Sequence, residues 1–257
     1  MVVYKTVQGV ERGLKILETI NEIGSRATCH QISVITGIHR TTVRRYLETL
    51  VALNYIQRSA DDTFFYLSPN VRKLSDGYRH ESVHSPKTLE LMNELTAHVM
   101  WPADLSTFKL DSMLVIESTH RSSRLSLTTS MIGKRLPMLM TASGKAYLAN
   151  CSDKQRKYIL DILKNGTALD ARLAGDETYL NRVLAETRCK GYGQNSGEWG
   201  DYSKIASIAV PVYVQGELFG SLNIIFHRSY MSPDEAAEKF YGYMLDKARL
   251  IGESLRT

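Results

Sequence analysis

The spacing of apolar residues changes from a helical to a strand-like period within the first seventy residues, and this order restricts the folds open to the chain. Apolar side chains that recur every three or four residues predict a first helix over 7–23. The same spacing predicts helices over 29–36 and 40–53. Alternating segments at 55–58 and 63–67 then predict two short strands joined by a turn. Three helices followed by a hairpin are the order of a winged helix-turn-helix domain.

The same spacing predicts which side chains of these helices face inward. On the first helix they are Val7, Val10, Leu14, Leu17 and Ile20. On the second helix they are Ile32 and Ile35. On the third helix they are Val43, Tyr46, Leu47, Leu50 and Leu53. Before the second helix, Thr28 and Gln31 have the spacing of a capping box, and after it Gly37 suits a left-handed turn because it lacks a Cβ.

The rest of the chain predicts linker helices and a larger mixed domain. Linker helices are expected over 70–78 and 86–99, the second with inward residues Leu89, Met92, Leu95 and Val99. Further on, strands are expected over 105–110, 113–118, 205–214 and 218–226. Helices are expected over 143–150, 153–164, 176–190 and 233–255. This irregular order favours an α+β domain around an antiparallel sheet, so the predicted domains are 1–68, 69–100 and 101–257.

Positive charge is concentrated at the N-terminal end. The 257 residues carry a net charge of +5, and the first eighty hold 11 Lys and Arg against 7 Asp and Glu. At about 100° per residue, the outer face of the third helix presents both charged and hydroxyl side chains. Arginine can donate two hydrogen bonds to guanine or can bind phosphate. The predicted DNA contacts are Arg40, Thr41, Thr42, Arg44 and Arg45 on this helix and Arg58 in the hairpin; the alternative is a solvated basic face.

Several classes of protein find no support in the sequence. No apolar stretch approaches the roughly 18–20 residues that span a bilayer, and no secretory signal is recognised, so a cytoplasmic protein is expected. Cys29, Cys151 and Cys189 are far apart and predict neither a disulfide framework nor a metal site. Catalytic and cofactor motifs are absent, which predicts no catalytic residue and no cofactor. Two alternatives remain open: an enzyme with an appended DNA-binding domain, and an architectural DNA-binding protein.

Four segments together resemble the IclR family of transcriptional regulators. Residues 37–50 resemble the recognition helix of that family, and the similarity continues through 136–149, 191–195 and 205–212. The resemblance implies a GAF-like C-terminal domain that binds a small organic acid. It also implies duplex DNA with a pseudo-palindromic operator as partner, and assembly as a homodimer or homotetramer.

Shorter segments at 101–102, 119–121 and 124–126 resemble the branch of the family that activates 3-(3-hydroxyphenyl)propionate catabolism. The effector implied is a small aromatic acid, with a non-aromatic organic acid as the alternative. By resemblance, the effector contacts are Met131, Ile132, Gly133, Asn195, Ser207, Asn223 and Ile225. Arg121 and Arg124 are candidates for the effector carboxylate because a guanidinium can bind it with two hydrogen bonds. His120 and Trp199 could each contact the ligand or simply pack.

Overall fold

The computed structural model describes residues 5–24, 26–75, 86–126, 128, 131–166 and 169–255. The chain divides into two compact units, Met1–Arg79 and His80–Thr257. The predicted division at 1–68, 69–100 and 101–257 is finer and stays a prediction. None of the described helices is long and apolar enough to cross a membrane.

The first unit has the predicted order of three helices and a hairpin. Its elements are α1 (Gln8–Ile23), α2 (Cys29–Thr36), α3 (Arg40–Ala52), β1 (Ile56–Arg58) and antiparallel β2 (Phe65–Leu67). The capping box at Thr28 and Gln31 is present, and Gly37 has a φ of 70°. A short 3-10 helix, Pro69–Leu74, follows where a linker helix over 70–78 was predicted. A helical segment capped by Ser68 is thus present, but it is a 3-10 helix that ends at Leu74, and the last three predicted residues lie outside the described part.

The core of the first unit is smaller than the apolar stripes suggest. It is built around Ile16, Ile20, Ile32, Val43, Leu47, Ile56 and Phe65, all essentially inaccessible. Val7, Val10 and Leu14 are exposed, contrary to prediction. The buried side chains of α1, Ile16, Thr19 and Ile20, all lie in its second half, and its first half approaches Tyr46 of α3 at Gly9 and Gly13 rather than through Val7, Val10 or Leu14. Ile35 and Leu53 were also predicted to face inward and are exposed.

The second unit is built on a six-stranded antiparallel sheet, which confirms the predicted α+β class. The strands are β3 (Ala103–Lys109), β4 (Ser112–Ser118), β5 (Arg135–Leu136), β6 (Gly193–Ser196), β7 (Ile205–Val214) and β8 (Glu217–His227). Their order across the sheet is β5-β4-β3-β8-β7-β6. The short edge strands β5 and β6 were not predicted, because neither is long enough to show an alternating pattern.

The described part of this unit also contains six α-helices. They are α4 (Pro86–Val99), α5 (Ala142–Asn150), α6 (Asp153–Lys164), α7 (Leu169–Ala174), α8 (Glu177–Lys190) and α9 (Pro233–Ser254). Only α7 was not predicted. Helix α4 packs on α9, where His98 stacks on Tyr243 with ring centroids 4.2 Å apart and Glu94 pairs with Lys247. Leu89 was predicted to face inward but is partly exposed, and Leu91 is buried in its place.

The two faces of the sheet have different residues because side chains alternate along each strand. One face carries Ala206, Ile208, Leu222, Ile224 and Phe226, which pack with α4 and α9 in one apolar core. The opposite face carries Ser207, Ala209, Asn223 and Ile225, and α5 packs against part of it. This second face is therefore the more polar one.

Helix α5 lies unusually close to its surroundings. Every residue from Ala142 to Ala149 is buried. A Cβ at Gly144 would collide with the Met138 backbone, and a Cβ at Gly193 on β6 would collide with the backbone of Ala142 and Ala146. Glycine at both positions lets the α5 backbone approach the sheet and the segment before it.

This close packing predicts that Gly144→Ala destabilises the protein by about 1–3 kcal/mol, since the Met138 backbone would have to shift. Gly242→Ala on α9 is the matched control, because its Cβ would enter open space and alanine favours a helix by up to about 1 kcal/mol. Urea unfolding of both variants measures the difference. Equal free energies of unfolding would contradict the packing described for α5.

Candidate functional site

The arginines predicted to contact DNA differ in whether they already pair with carboxylates of the protein. Val43, Leu47 and Leu50 face the core, so Arg40, Thr41 and Arg45 point outward and are exposed, while Thr42 is half-buried. The side chains of Arg40 and Arg45 make no hydrogen bond or ion pair with any described residue. These two guanidinium groups are therefore available to an anionic partner.

Arg44 and Arg58 are engaged instead in a four-residue charge ring with Glu48 and Asp62. Arg44 lies 2.8 Å from Glu48 Oε1 through its Nε and 2.6 Å from Asp62 Oδ2 through Nη2. Arg58 lies 2.9 Å from Asp62 Oδ1 and also pairs with Glu48. The hydrogen bond from Arg44 lowers the pKa of Asp62 below its usual value. The charge ring carries no net charge, and it connects α3 to the β1–β2 hairpin.

A cavity lies on the polar face of the sheet in the second unit. We call it the sheet cavity. Its described wall comprises Asp104, His120, Thr128, Met131, Leu136, Thr141, Asn195, Trp199, Tyr202, Ile205, Ser207, Asn223 and Ile225. Five residues predicted from the resemblance are thus brought together, namely Met131, Asn195, Ser207, Asn223 and Ile225. Ile132, Gly133, Arg121 and Arg124 are exposed and do not belong to this wall.

The register of the strands explains this convergence. On β7, Ser207 pairs with both Asn195 of β6 and Ile225 of β8. On β8, Asn223 pairs with Asp104 of β3. Directly paired residues point to the same side of an antiparallel sheet, so these side chains form two neighbouring rows on one face.

One end of the sheet cavity is polar and incompletely hydrogen-bonded. Asp104 is 1% exposed and neither carboxyl oxygen has a hydrogen-bond partner among the described residues. Asn223 Oδ1 and His120 Nε2 are also buried without one. Unpaired polar atoms are rare in protein interiors and often mark a functional site or an ordered solvent molecule. Asp104 was not predicted as a site residue, although an acidic residue in the otherwise uncharged strand start Ala103–Ser106 was a visible signal.

The other end is apolar and aromatic. Trp199 stacks on Tyr202 with ring centroids 4.4 Å apart, and both rings line the sheet cavity with Met131, Leu136 and Ile205. The volume is about 50 Å³, far below the roughly 300–1,000 Å³ of most small-molecule sites. A ligand larger than a few atoms must therefore displace part of the wall, and Trp199 and Tyr202 are among its partly exposed residues.

A larger cleft on another side of α5 differs in its electrostatics. It measures about 540 Å³ and is lined by charged residues that include Lys145, Arg182, Glu186, Lys190 and Glu198. Lys145 pairs with Glu198 and donates to the Gln194 carbonyl, and Lys190 pairs with Glu186 and Asp234. Four of these five charged groups are therefore paired within the protein, and Arg182 lies over the Tyr179 ring.

Comparison with known proteins assigns both units. The family model described as the IclR helix-turn-helix domain matches residues 9–60, and the one described as the bacterial transcriptional regulator IclR C-terminal domain matches 83–253. The Pca regulon regulatory protein of Pseudomonas putida is 27% identical over 242 residues, covering 93% of this chain and 80% of that protein. The p-hydroxybenzoate hydroxylase transcriptional activator of Acinetobacter baylyi is 27% identical over 238 residues, covering 88% and 84%.

Solved structures agree on the fold. The crystal structure of the Thermotoga maritima IclR has a TM-score of 0.68 at 16% identity, over 97% of this chain and 99% of that one. An IclR homologue from Microbacterium hydrocarbonoxydans, solved with 4-hydroxybenzoate, has a TM-score of 0.61 at 20% identity, over 96% and 99%. The chain therefore belongs to the IclR family of bacterial transcriptional regulators, which bind DNA and are not enzymes.

Proposed function

We propose that this regulator controls genes of aromatic-acid catabolism in the cytoplasm, with a small aromatic carboxylic acid as effector. The observation that carries the proposal is the sheet cavity, which combines aromatic and aliphatic walls with a buried polar end. An aromatic acid needs both, since its ring is apolar and its substituents form hydrogen bonds. The names of the Pca and p-hydroxybenzoate relatives support this class of effector. Within it, phenylpropanoids such as 3-(3-hydroxyphenyl)propionate fit the resemblance at 101–102, 119–121 and 124–126.

The proposed arrangement has three parts. Residues 1–68 bind a pseudo-palindromic operator. Residues 69–100 link this domain to residues 101–257, which bind the effector and assemble the homodimer or homotetramer. Arg40, Thr41, Thr42 and Arg45 contact DNA directly from α3. Arg44 and Arg58 reach DNA only if the charge ring opens, and otherwise they orient the hairpin.

Arg45→Ala should lower operator affinity about tenfold or more, because an exposed, unpaired guanidinium is lost from the outer face of α3. Arg249→Ala removes the same charge from α9, where the side chain pairs with Asp246 and Glu253, and should leave affinity unchanged. Gel-shift titrations of both full-length variants at one salt concentration provide the comparison. Equal affinities would refute the assignment of this face.

The effector contacts are proposed from the wall of the sheet cavity. Five of the predicted residues line this cavity and remain in the proposed contact set: Met131, Asn195, Ser207, Asn223 and Ile225. Ile132, Gly133, Arg121 and Arg124 lie outside the wall and are left out of the proposed contact set. The ring would occupy the space near Met131 and Ile225, under Trp199 and Tyr202.

Ser207→Leu should weaken binding of aromatic acids at least tenfold, because the larger side chain fills a cavity of only about 50 Å³. DNA binding without effector should persist. Ile132→Ala, at an exposed position outside the wall, is the control and should bind normally. Thermal-shift and calorimetric titrations with hydroxybenzoates, phenylpropanoates and small aliphatic acids test the proposal. Binding of an aliphatic acid alone would favour the non-aromatic alternative.

A loop next to the sheet cavity offers a route for the response. The loop that brings His120 into the wall is hydrogen-bonded to α4 by its neighbours. Thr119 Oγ1 is 2.6 Å from Thr96 Oγ1, and Ser122 Oγ donates to Asn93 Oδ1 at 2.8 Å. If the effector binds one position of this loop better, it also biases the position of α4.

The double variant Thr96→Val, Ser122→Ala should reduce the effect of the effector on operator affinity by several-fold, because both hydrogen bonds between loop and helix are lost. Effector affinity itself should change little. Thr88→Val on the same helix removes a hydrogen bond to Ser254 of α9 and should leave the response intact. Gel shifts with and without effector compare the variants, and an undiminished response in the double variant would rule out this route.

A further inference from the structure

Asp104 and His120 form the polar end of the sheet cavity, and their chemistry determines which group of the effector can lie against them. Of the described wall residues, none is lysine or arginine, and Asp104 is the one with a carboxyl group. A carboxylate accepts hydrogen bonds but donates none. The group that meets it must therefore be a donor, which an effector carboxylate is not.

A chain of hydrogen bonds fixes the protonation of one ring nitrogen of His120. The Ser126 hydroxyl donates to the Thr128 carbonyl oxygen at 2.5 Å, because a carbonyl can only accept. His120 Nδ1 lies 2.6 Å from the same hydroxyl oxygen and must therefore be the donor of that bond. With Nδ1 protonated, His120 Nε2 presents either a lone pair or a second proton toward Asp104.

The gap between His120 and Asp104 is too wide for a hydrogen bond. Nε2 lies 3.6 Å from Asp104 Oδ2, beyond the normal range of donor–acceptor distances. If Nε2 carries a lone pair, it and Asp104 are two acceptors, and a hydroxyl can donate its single proton to only one of them. If Nε2 is protonated, a hydroxyl can donate to Asp104 and accept from Nε2, which satisfies both groups. In either state a hydroxyl can supply a donor to Asp104.

The neighbouring strand completes this polar end. Asn223 pairs with Asp104 across β8 and β3, and no described residue donates to its Oδ1. Three buried acceptor atoms, two of Asp104 and one of Asn223, thus lie on one face of the sheet without a donor from the described part of the chain. Leaving such groups unpaired costs about 1–3 kcal/mol each, and a ligand that supplies donors recovers part of this cost.

We infer that Asp104 and His120 form a hydroxyl-recognition site, so that the effector is a hydroxylated aromatic acid bound with its ring hydroxyl against β3. This inference rests on the proposed function, since it assigns a group of the same effector. Its carboxylate then lies at another part of the wall. The site accordingly selects for the ring hydroxyl, and an acid without that hydroxyl is a poor ligand.

Fluorinated analogues test the inference, because fluorine resembles a hydroxyl in size but cannot donate a hydrogen bond. The probes are 4-hydroxybenzoate against 4-fluorobenzoate, and 3-(3-hydroxyphenyl)propionate against its 3-fluoro analogue. For at least one pair, the wild-type protein should prefer the hydroxyl compound by about 10- to 100-fold. Asp104→Asn should narrow this preference and Asp104→Leu should abolish it. Asp111→Asn, an exposed residue of the β3–β4 turn that pairs with Arg135, is the control and should keep it.

Thermal unfolding without ligand gives a second, independent measurement. Asp104→Leu should not lower the melting temperature, because it removes a buried carboxyl group that accepts no hydrogen bond from any residue the structure describes. Asp170→Leu should lower it by several degrees, since that equally buried carboxyl accepts hydrogen bonds from the backbone N–H groups of Met138 and Leu139. A marked loss of stability in Asp104→Leu would overturn the inference by showing that the carboxyl group is structural.

The outcomes separate this inference from the proposed function. If aromatic acids bind but the wild-type protein ignores the change from hydroxyl to fluorine, the hydroxyl site is wrong and the proposed function stands. The same holds if the Asp104 variants keep the full preference. If no aromatic acid binds, the proposed function fails. The hydroxyl site then survives only if lactate binds better than propionate and Asp104→Leu removes that difference.

Discussion

The close approach of α5 to the sheet is the constraint on which the second unit depends. Glycine at 144 and 193 and alanine at 142, 146 and 209 let the helix backbone lie almost directly on its neighbours. The helix covers only part of the polar face, and the uncovered remainder, closed by Trp199 and Tyr202, becomes the sheet cavity. The opposite face is fully covered by α4 and α9 in an apolar core. The sheet thus combines a rigid side that maintains the fold with a side that keeps polar groups buried and unsatisfied.

Much of the fold could be predicted from the sequence, because most elements are long enough to show their own period. Strands β7 and β8 are largely apolar runs of ten and eleven residues on either side of a turn at Gln215 and Gly216, and α9 begins after Ser232, which caps it, with Pro233 in its first turn. The prediction of inward-facing residues failed where the burial of a side chain depends on which other element packs against its helix. The apolar stripe of α1 continues beyond the core that it packs on, and Leu89 of α4 faces away from α9. Short elements such as β5, β6 and α7 are defined by pairing and packing with distant residues, which local patterns do not contain.

The site was predictable where resemblance could be transferred position by position. Met131, Asn195, Ser207, Asn223 and Ile225 converge because the register of β6, β7 and β8 aligns them. Arg121 and Arg124 were chosen for their chemistry, and both are exposed, whereas His120, which precedes them, is buried in the wall of the sheet cavity. Asp104 was overlooked because a single acid in a strand has no motif, and only three-dimensional structure reveals that its oxygens lack partners.

The charge ring between α3 and the hairpin has a consequence for how the regulator responds to its ionic surroundings. Binding to DNA releases condensed counterions in proportion to the phosphates that protein cations neutralise. Arg44 and Arg58 already have their counterions, supplied by Glu48 and Asp62 of the same chain. Their contact with phosphate would exchange one ion pair for another and release little. The number of arginines on this surface therefore overstates its polyelectrolyte character: of the four at 40, 44, 45 and 58, Arg44 and Arg58 are already paired with carboxylates of the described chain.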